Sequence, residues 1–195
     1  MLFRELYNLV ESQSLDKPVG FEFLRLAIVQ GIPWLEEVRV WRLAYSPPRR
    51  EAHFMLFDDR TSAYNEEHLV ADISYCSALE NDLSELLFAL SKELMHVFDP
   101  KETWIDTREK FIQFLKDLQN TPLDNHNGAL GSEHRAKWMA LLVLCPKPLR
   151  DAIHAEISEG RGLRIEVAER LGLPDWFIEI ALDDYYHVAL NILTK

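Results

Sequence analysis

Apolar residues recur at helical spacing from the start of the chain. Phe3, Leu6, Tyr7 and Val10 form one stripe, and Phe21, Leu24, Ala27 and Ile28 form a second that runs into the stop signal Gly31-Ile32-Pro33. This predicts helices over 3–11 and 20–30. The period then falls to two: Val38, Val40, Arg42 and Ala44 alternate with Arg39, Trp41, Leu43 and Tyr45. Beyond Pro47-Pro48-Arg49-Arg50, which reads more simply as a hairpin turn than as a docking loop, a second strand is expected over Ala52–Phe57, ended by Asp58-Asp59. A third is expected over Leu69–Cys76.

A long helix follows. Ser77-Ala78-Leu79-Glu80 has capping-box spacing, Leu83, Leu86, Leu87, Leu90, Leu94 and Val97 recur every three or four residues, and Asp99-Pro100 closes the run. Further helices are expected over 103–119, 132–144 and 149–158, the last after the Pro146-Lys147-Pro148 break. The 121–131 stretch is a loop by composition. A final pair, 163–171 and 175–193, is separated by Gly172-Leu173-Pro174. Strands grouped early and helices grouped late make an α+β pattern.

At 195 residues the chain is long enough for one domain with a sizeable core. Its 48% hydrophobic and 27% charged residues are those of an ordinary globular protein. A formal charge of -11 argues against a nucleic-acid partner or an anionic membrane surface. Cys76 and Cys145 are too few for a disulfide framework and read as buried small apolar residues. Met1-Leu2-Phe3-Arg4-Glu5 does not open a leader, and no stretch approaches 18 uninterrupted apolar residues, so a cytoplasmic location without membrane contact is expected.

Two segments carry candidate chemistry. Within the long helix, Lys92-Glu93-Leu94-Met95-His96 places positions 92 and 96 one above the other on a helix face. In a zinc peptidase both would be His, gripping one cation, while the Glu after the first polarises the metal-bound water. Later, Glu133-His134-Arg135-Ala136-Lys137-Trp138-Met139-Ala140-Leu141-Leu142-Val143-Leu144-Cys145-Pro146 is an apolar helix opened by a carboxylate and closed by Pro.

In this order, and after an α+β lead-in, the two segments resemble the ImmA/IrrE family of zincin-like metallopeptidases. In that family an HExxH helix is followed by E-x-x-A-N-x-F-A-x-x-L-L-x-P, whose Glu is the third zinc ligand. Glu133, Ala136, Ala140, Leu144 and Pro146 match, Val143 nearly matches, and Lys137 and Met139 replace the usual Asn and Phe. Val167–Trp176 is similar to the family's closing segment, and the resemblance covers roughly residues 60 to 185. It implies a single zincin-like domain over 1–195. N-terminal helices and first strands would occupy 1–60, a core with a small mixed sheet packed against the site helix 60–146, and a helical segment 147–195. It also implies a protein substrate or partner, a transcriptional regulator among the candidates. Glu93 falls at the general-base position and His96 and Glu133 at ligand positions.

Lys92 replaces the first His ligand. Catalytic zinc uses three protein ligands plus water, and a protonated Lys offers no lone pair. Two ligands should bind zinc poorly, so no cofactor is expected and Glu93 would stand idle. The Lys92 ammonium would instead pair with Glu133. Unit charges about 4 Å apart attract by about 4 kcal/mol at a dielectric of 20, before desolvation takes back much of the gain. The expected function is a pseudopeptidase that binds a regulatory protein or peptide. One alternative is an active zinc endopeptidase with Asp99 as substitute ligand, His134 carrying less weight because it points about 100° around its helix from Glu133. Another is a helical interaction or scaffold protein.

The remaining features read as structure. Val167 to Leu173 followed by a helix has helix-turn-helix spacing, but its second helix carries Asp175, Glu179, Asp183 and Asp184 without Lys or Arg, so it reads as a packing element. His53, His68, His126, His154 and His187 show no ligand spacing. Trp34, Trp41, Trp104, Trp138 and Trp176 read as core or interface packing.

Overall fold

The computed structural model describes residues 1–13, 16–44, 52–58, 69–100 and 129–195. The expected helix over 103–119, the Pro47–Arg50 turn, the 121–128 loop, His68, His126 and Trp104 lie outside these residues. The elements in chain order are α1 (Phe3–Glu11), α2 (Phe21–Gly31), β1 (Leu35–Leu43), β2 (Ala52–Asp58), β3 (Leu69–Cys76), α3 (Leu83–Met95), α4 (Ala129–Leu144), α5 (Lys147–Ser158), α6 (Arg164–Leu171), α7 (Asp175–Ala181) and α8 (Tyr185–Leu193). The fold is thus mixed α+β, with eight helices and one small mixed sheet among the described residues.

The sheet order is β1-β3-β2, with β1 parallel and β2 antiparallel to β3. β1 and β2 are therefore not neighbours, which corrects the hairpin expected at Pro47–Arg50. The reason lies in β3: Val70, Ala71, Ile73 and Cys76 are buried on both of its faces, as a central strand requires. Trp41, Leu43, Met55 and Phe57, by contrast, stay exposed on the flanking strands. Trp41 is accordingly not part of the core.

Four helix boundaries differ from expectation. Ser77–Asn81 forms a separate 3-10 turn, and α3 begins at Leu83, where the Asp82 side chain accepts hydrogen bonds from the Glu85 amide and the Ser84 hydroxyl. Asp82, not Ser77, is the cap. At the far end the α-helix stops at Met95 and tightens into a 3-10 turn over His96–Phe98. The expected helix 175–193 is broken at Leu182-Asp183-Asp184 into α7 and α8. The start of α4 at Ala129 takes the last three residues of the expected loop into the helix.

α4 is the centre of the core. Every residue from Ala140 to Cys145 is fully buried, so this stretch is apolar all round rather than amphipathic. α3 packs along it, and α1, α7 and α8 surround it. The Tyr186 hydroxyl of α8 donates to the buried Cys145 carbonyl at 2.7 Å, and both cysteines are buried and not joined in a disulfide. Gly172 closes α6 with φ +64°, a left-handed cap that favours glycine, and the Leu173 amide returns to the Ala168 carbonyl at 3.0 Å. Val167, Ala168, Leu171, Leu173, Phe177 and Ile178 are all buried, so the α6–α7 unit is a packing element.

Candidate functional site

The packing of α3 on α4 brings the two sequence segments together. Lys92 comes from the last turn of α3, where the helix dipole favours a cation, and Glu133 from the second turn of α4. The Lys92 ammonium donates a hydrogen bond to Glu133 Oε2 at 2.7 Å and lies 2.7 Å from Glu93 Oε1, the second contact being ionic without hydrogen-bond alignment. Glu93 is 3% exposed and Lys92 21%, while Glu133 is half-exposed. The expected pairing of Lys92 with Glu133 is therefore present.

His96 stands at the 3-10 turn with its ring stacked on Phe54 of β2, centroids 5.8 Å apart. Its Nε2 approaches Glu133 Oε1 at 3.3 Å and Glu93 Oε2 at 3.8 Å, again as ionic contacts. On the opposite side of the ring, Nδ1 meets Asp99 Oδ2 at 2.7 Å. The buried Ser132 hydroxyl makes a short hydrogen bond to the same Asp99 oxygen, and Arg135 reaches Asp99 Oδ1 through Nη2 at 3.1 Å and Nε at 3.3 Å.

Ser132, His96 and Asp99 have the composition of a nucleophilic triad but not its geometry. Ser132 lies 3.2 Å from Nδ1, the nitrogen Asp99 already occupies, and donates to Asp99, so no base is placed to take its proton. His134 turns away, accepting a hydrogen bond from the Trp138 indole at 3.2 Å. His53, His154 and His187 are exposed.

The charges balance, with Lys92, His96 and Arg135 facing Glu93, Glu133 and Asp99. Burial works against the charged form of His96. The hydrogen bond to Asp99 and the contacts with Glu133 and Glu93 outweigh it and lift its pKa to about 9. Burial likewise works against Glu133, yet His96 and Lys92 bring it down to about 2. Burial raises the Glu93 carboxyl, with Lys92 and His96 partly offsetting it. For Asp99 burial is overcome by His96, Ser132 and Arg135, and its pKa falls.

This donor set does not fit zinc. His96 Nε2 faces the Glu133 and Glu93 carboxylates, and both of these are already within bonding distance of the Lys92 ammonium, which stands where a metal would have to sit. Among the described residues, no three His, Cys, Asp or Glu side chains converge to hold a metal ion. Asp99 faces Nδ1, across the ring from Glu133, so it does not join them.

Sequence reasoning missed Ser132, Arg135 and Phe54. Ser132 and Arg135 are three residues apart on one face of α4 beside Glu133, a signal present in the sequence. Phe54 depends on β2 lying at the sheet edge beside α3, which sequence spacing does not encode. No family profile, curated protein or solved structure matches this chain. Among the described residues, no helix is long and apolar enough to cross a membrane.

Proposed function

We propose that this chain is a pseudopeptidase of zincin-like design, in which an ammonium group stands where hydrolytic relatives would hold zinc, and that it works by binding a regulatory protein or peptide. The observation that supports this best is the position of Lys92, 2.7 Å from both Glu93 and Glu133. A carboxylate held by an ammonium is a poor general base, and water there has no metal to lower its pKa. Glu93 is idle in this reading, His96 and Glu133 are former ligands, and Asp99 orients His96.

Binding survives the loss of chemistry. Phe54 links β2 to His96, and among the described residues no strand pairs with the outer edge of β2. An extended segment of a partner would add there through backbone hydrogen bonds. A transcriptional regulator is one such partner, in keeping with the resemblance to ImmA/IrrE peptidases. The active-peptidase alternative needs Asp99 as a ligand, and the Nδ1 position of Asp99 weighs against it. The scaffold alternative leaves the six-group charge network without a purpose.

A peptide array tests the reading, followed by hydrogen exchange on the protein with its best binder. Slowed exchange over 52–58 with the peptide left intact is the expected result. Peptide cleavage, or protection confined to helices remote from the sheet, would refute it.

A further inference from the structure

A cavity of about 450 Å³ lies behind the charge network, between the N-terminal segment, the 96–98 turn, α4 and the end of α8. Its floor is apolar and buried, formed in part by Ile32, Val97 and Met139, and its mouth carries Leu2 and Ile192, 63% and 65% exposed. Among the described residues lining it, Arg135 has the only charged side chain. Its contacts through Nε and Nη2 both fall on the single oxygen Asp99 Oδ1, and among the described residues none takes its Nη1 edge. Among the described residues, Asp99 also contacts His96, so it is shared between two cations there.

From this we propose that the cavity binds a small amphipathic carboxylic acid, its apolar chain against the floor and its carboxylate on the free edge of Arg135. Size and lining suit such a ligand: pockets of roughly 300–1,000 Å³ with apolar walls and one or two placed polar groups are typical of small-molecule sites. A guanidinium prefers a carboxylate because its planar fork matches the two oxygens. Large apolar side chains at the mouth of so acidic a protein are then covered by the ligand tail. This inference does not depend on the pseudopeptidase reading, because the cavity is distinct from the β2 edge.

Titration calorimetry on the full chain, with decanoate, decanol and decyltrimethylammonium below their aggregation limits, tests it. Decanoate is expected to bind saturably and roughly tenfold more tightly than decanol, the yield of one charge-assisted contact, with the cation weakest. Arg135→Met should erase the preference for decanoate over decanol. Should that variant fail to fold, Ile192→Glu decides, since it alters only the exposed mouth and should abolish decanoate binding. Absence of saturable binding, equal affinity for the three head groups, or unchanged affinity in Ile192→Glu would overturn the proposal. So would tighter binding of a peptide ending in an apolar residue, which would assign the cavity to a protein chain end.

Discussion

The Lys92 ammonium and the Glu133 carboxylate meet at 2.7 Å, 41 positions apart in sequence and on the two helices that form the centre of the fold. Lys92 thereby joins α3 to α4 and neutralises Glu93 at the same time. Replacing it with Met leaves Glu93 buried without its cation. Fully buried pairs lose 3–5 kcal/mol on such a change, and the half-exposure of Glu133 lowers the expected cost here to about 2 kcal/mol. Urea unfolding of Lys92→Met measures it, and a loss below about 0.5 kcal/mol, the ordinary scale for a surface change, would show the pair to be incidental.

Stability should depend on pH at both ends. The raised pKa of His96, facing Asp99, Ser132, Glu133 and Glu93, contributes stability that is complete below its ordinary value of 6.5 and is lost as pH rises through about 9. The lowered pKa of Glu133, facing Lys92 and His96, contributes stability present above its ordinary value of 4.5 and lost as pH falls toward about 2. Thermal melts across this range are expected to fall off on both sides of a maximum, which the raised Glu93 carboxyl shifts toward the acid side. Stability that rises up to pH 6.5 and stays flat from 6.5 to 9 would mean that His96 is neutral in the fold.

Asp99 holds His96 from the Nδ1 side, so Asp99→Asn should move the His96 pKa down from about 9, because the acceptor loses its charge. Imidazole proton shifts followed by NMR titration report this directly. An unchanged midpoint would transfer the effect to Glu133 and Glu93 alone.

Burial pushes the Cys145 thiol up to about 12, with Arg150 only partly opposing it. Alkylation of the native protein at pH 8 should leave Cys145 unmodified and proceed only after denaturation. On the same packing surface, Tyr186→Phe leaves the buried Cys145 carbonyl without its donor and should cost about 1–3 kcal/mol.

The sequence carried the elements better than their arrangement. Helix 3–11 and strand 69–76 were legible to the residue, because an amphipathic stripe and a β-branched run each have one dominant period. The sheet order was not legible, since proximity in sequence suggested a hairpin while burial on both faces put β3 in the middle. The Ser77 cap failed because Asp82, closer to the periodic run, competes for the same amides. Within the site, the Lys92–Glu133 pairing was expected from their opposite charges once the resemblance to ImmA/IrrE peptidases had set both at ligand positions. The role of Asp99 did not, because the 3-10 turn over His96–Phe98 rotates it to the Nδ1 side of the ring, and regular helix spacing does not anticipate that turn.

Metal content decides the account most directly. Protein purified in zinc-supplemented buffer without chelator should, by elemental analysis, contain far less than one zinc per chain, and Lys92→His, which restores a third ligand on the same helix face, should raise that content toward one. One tightly held zinc per unaltered chain, lost on replacing His96 or Glu133, would mean that the ammonium yields its place to the metal.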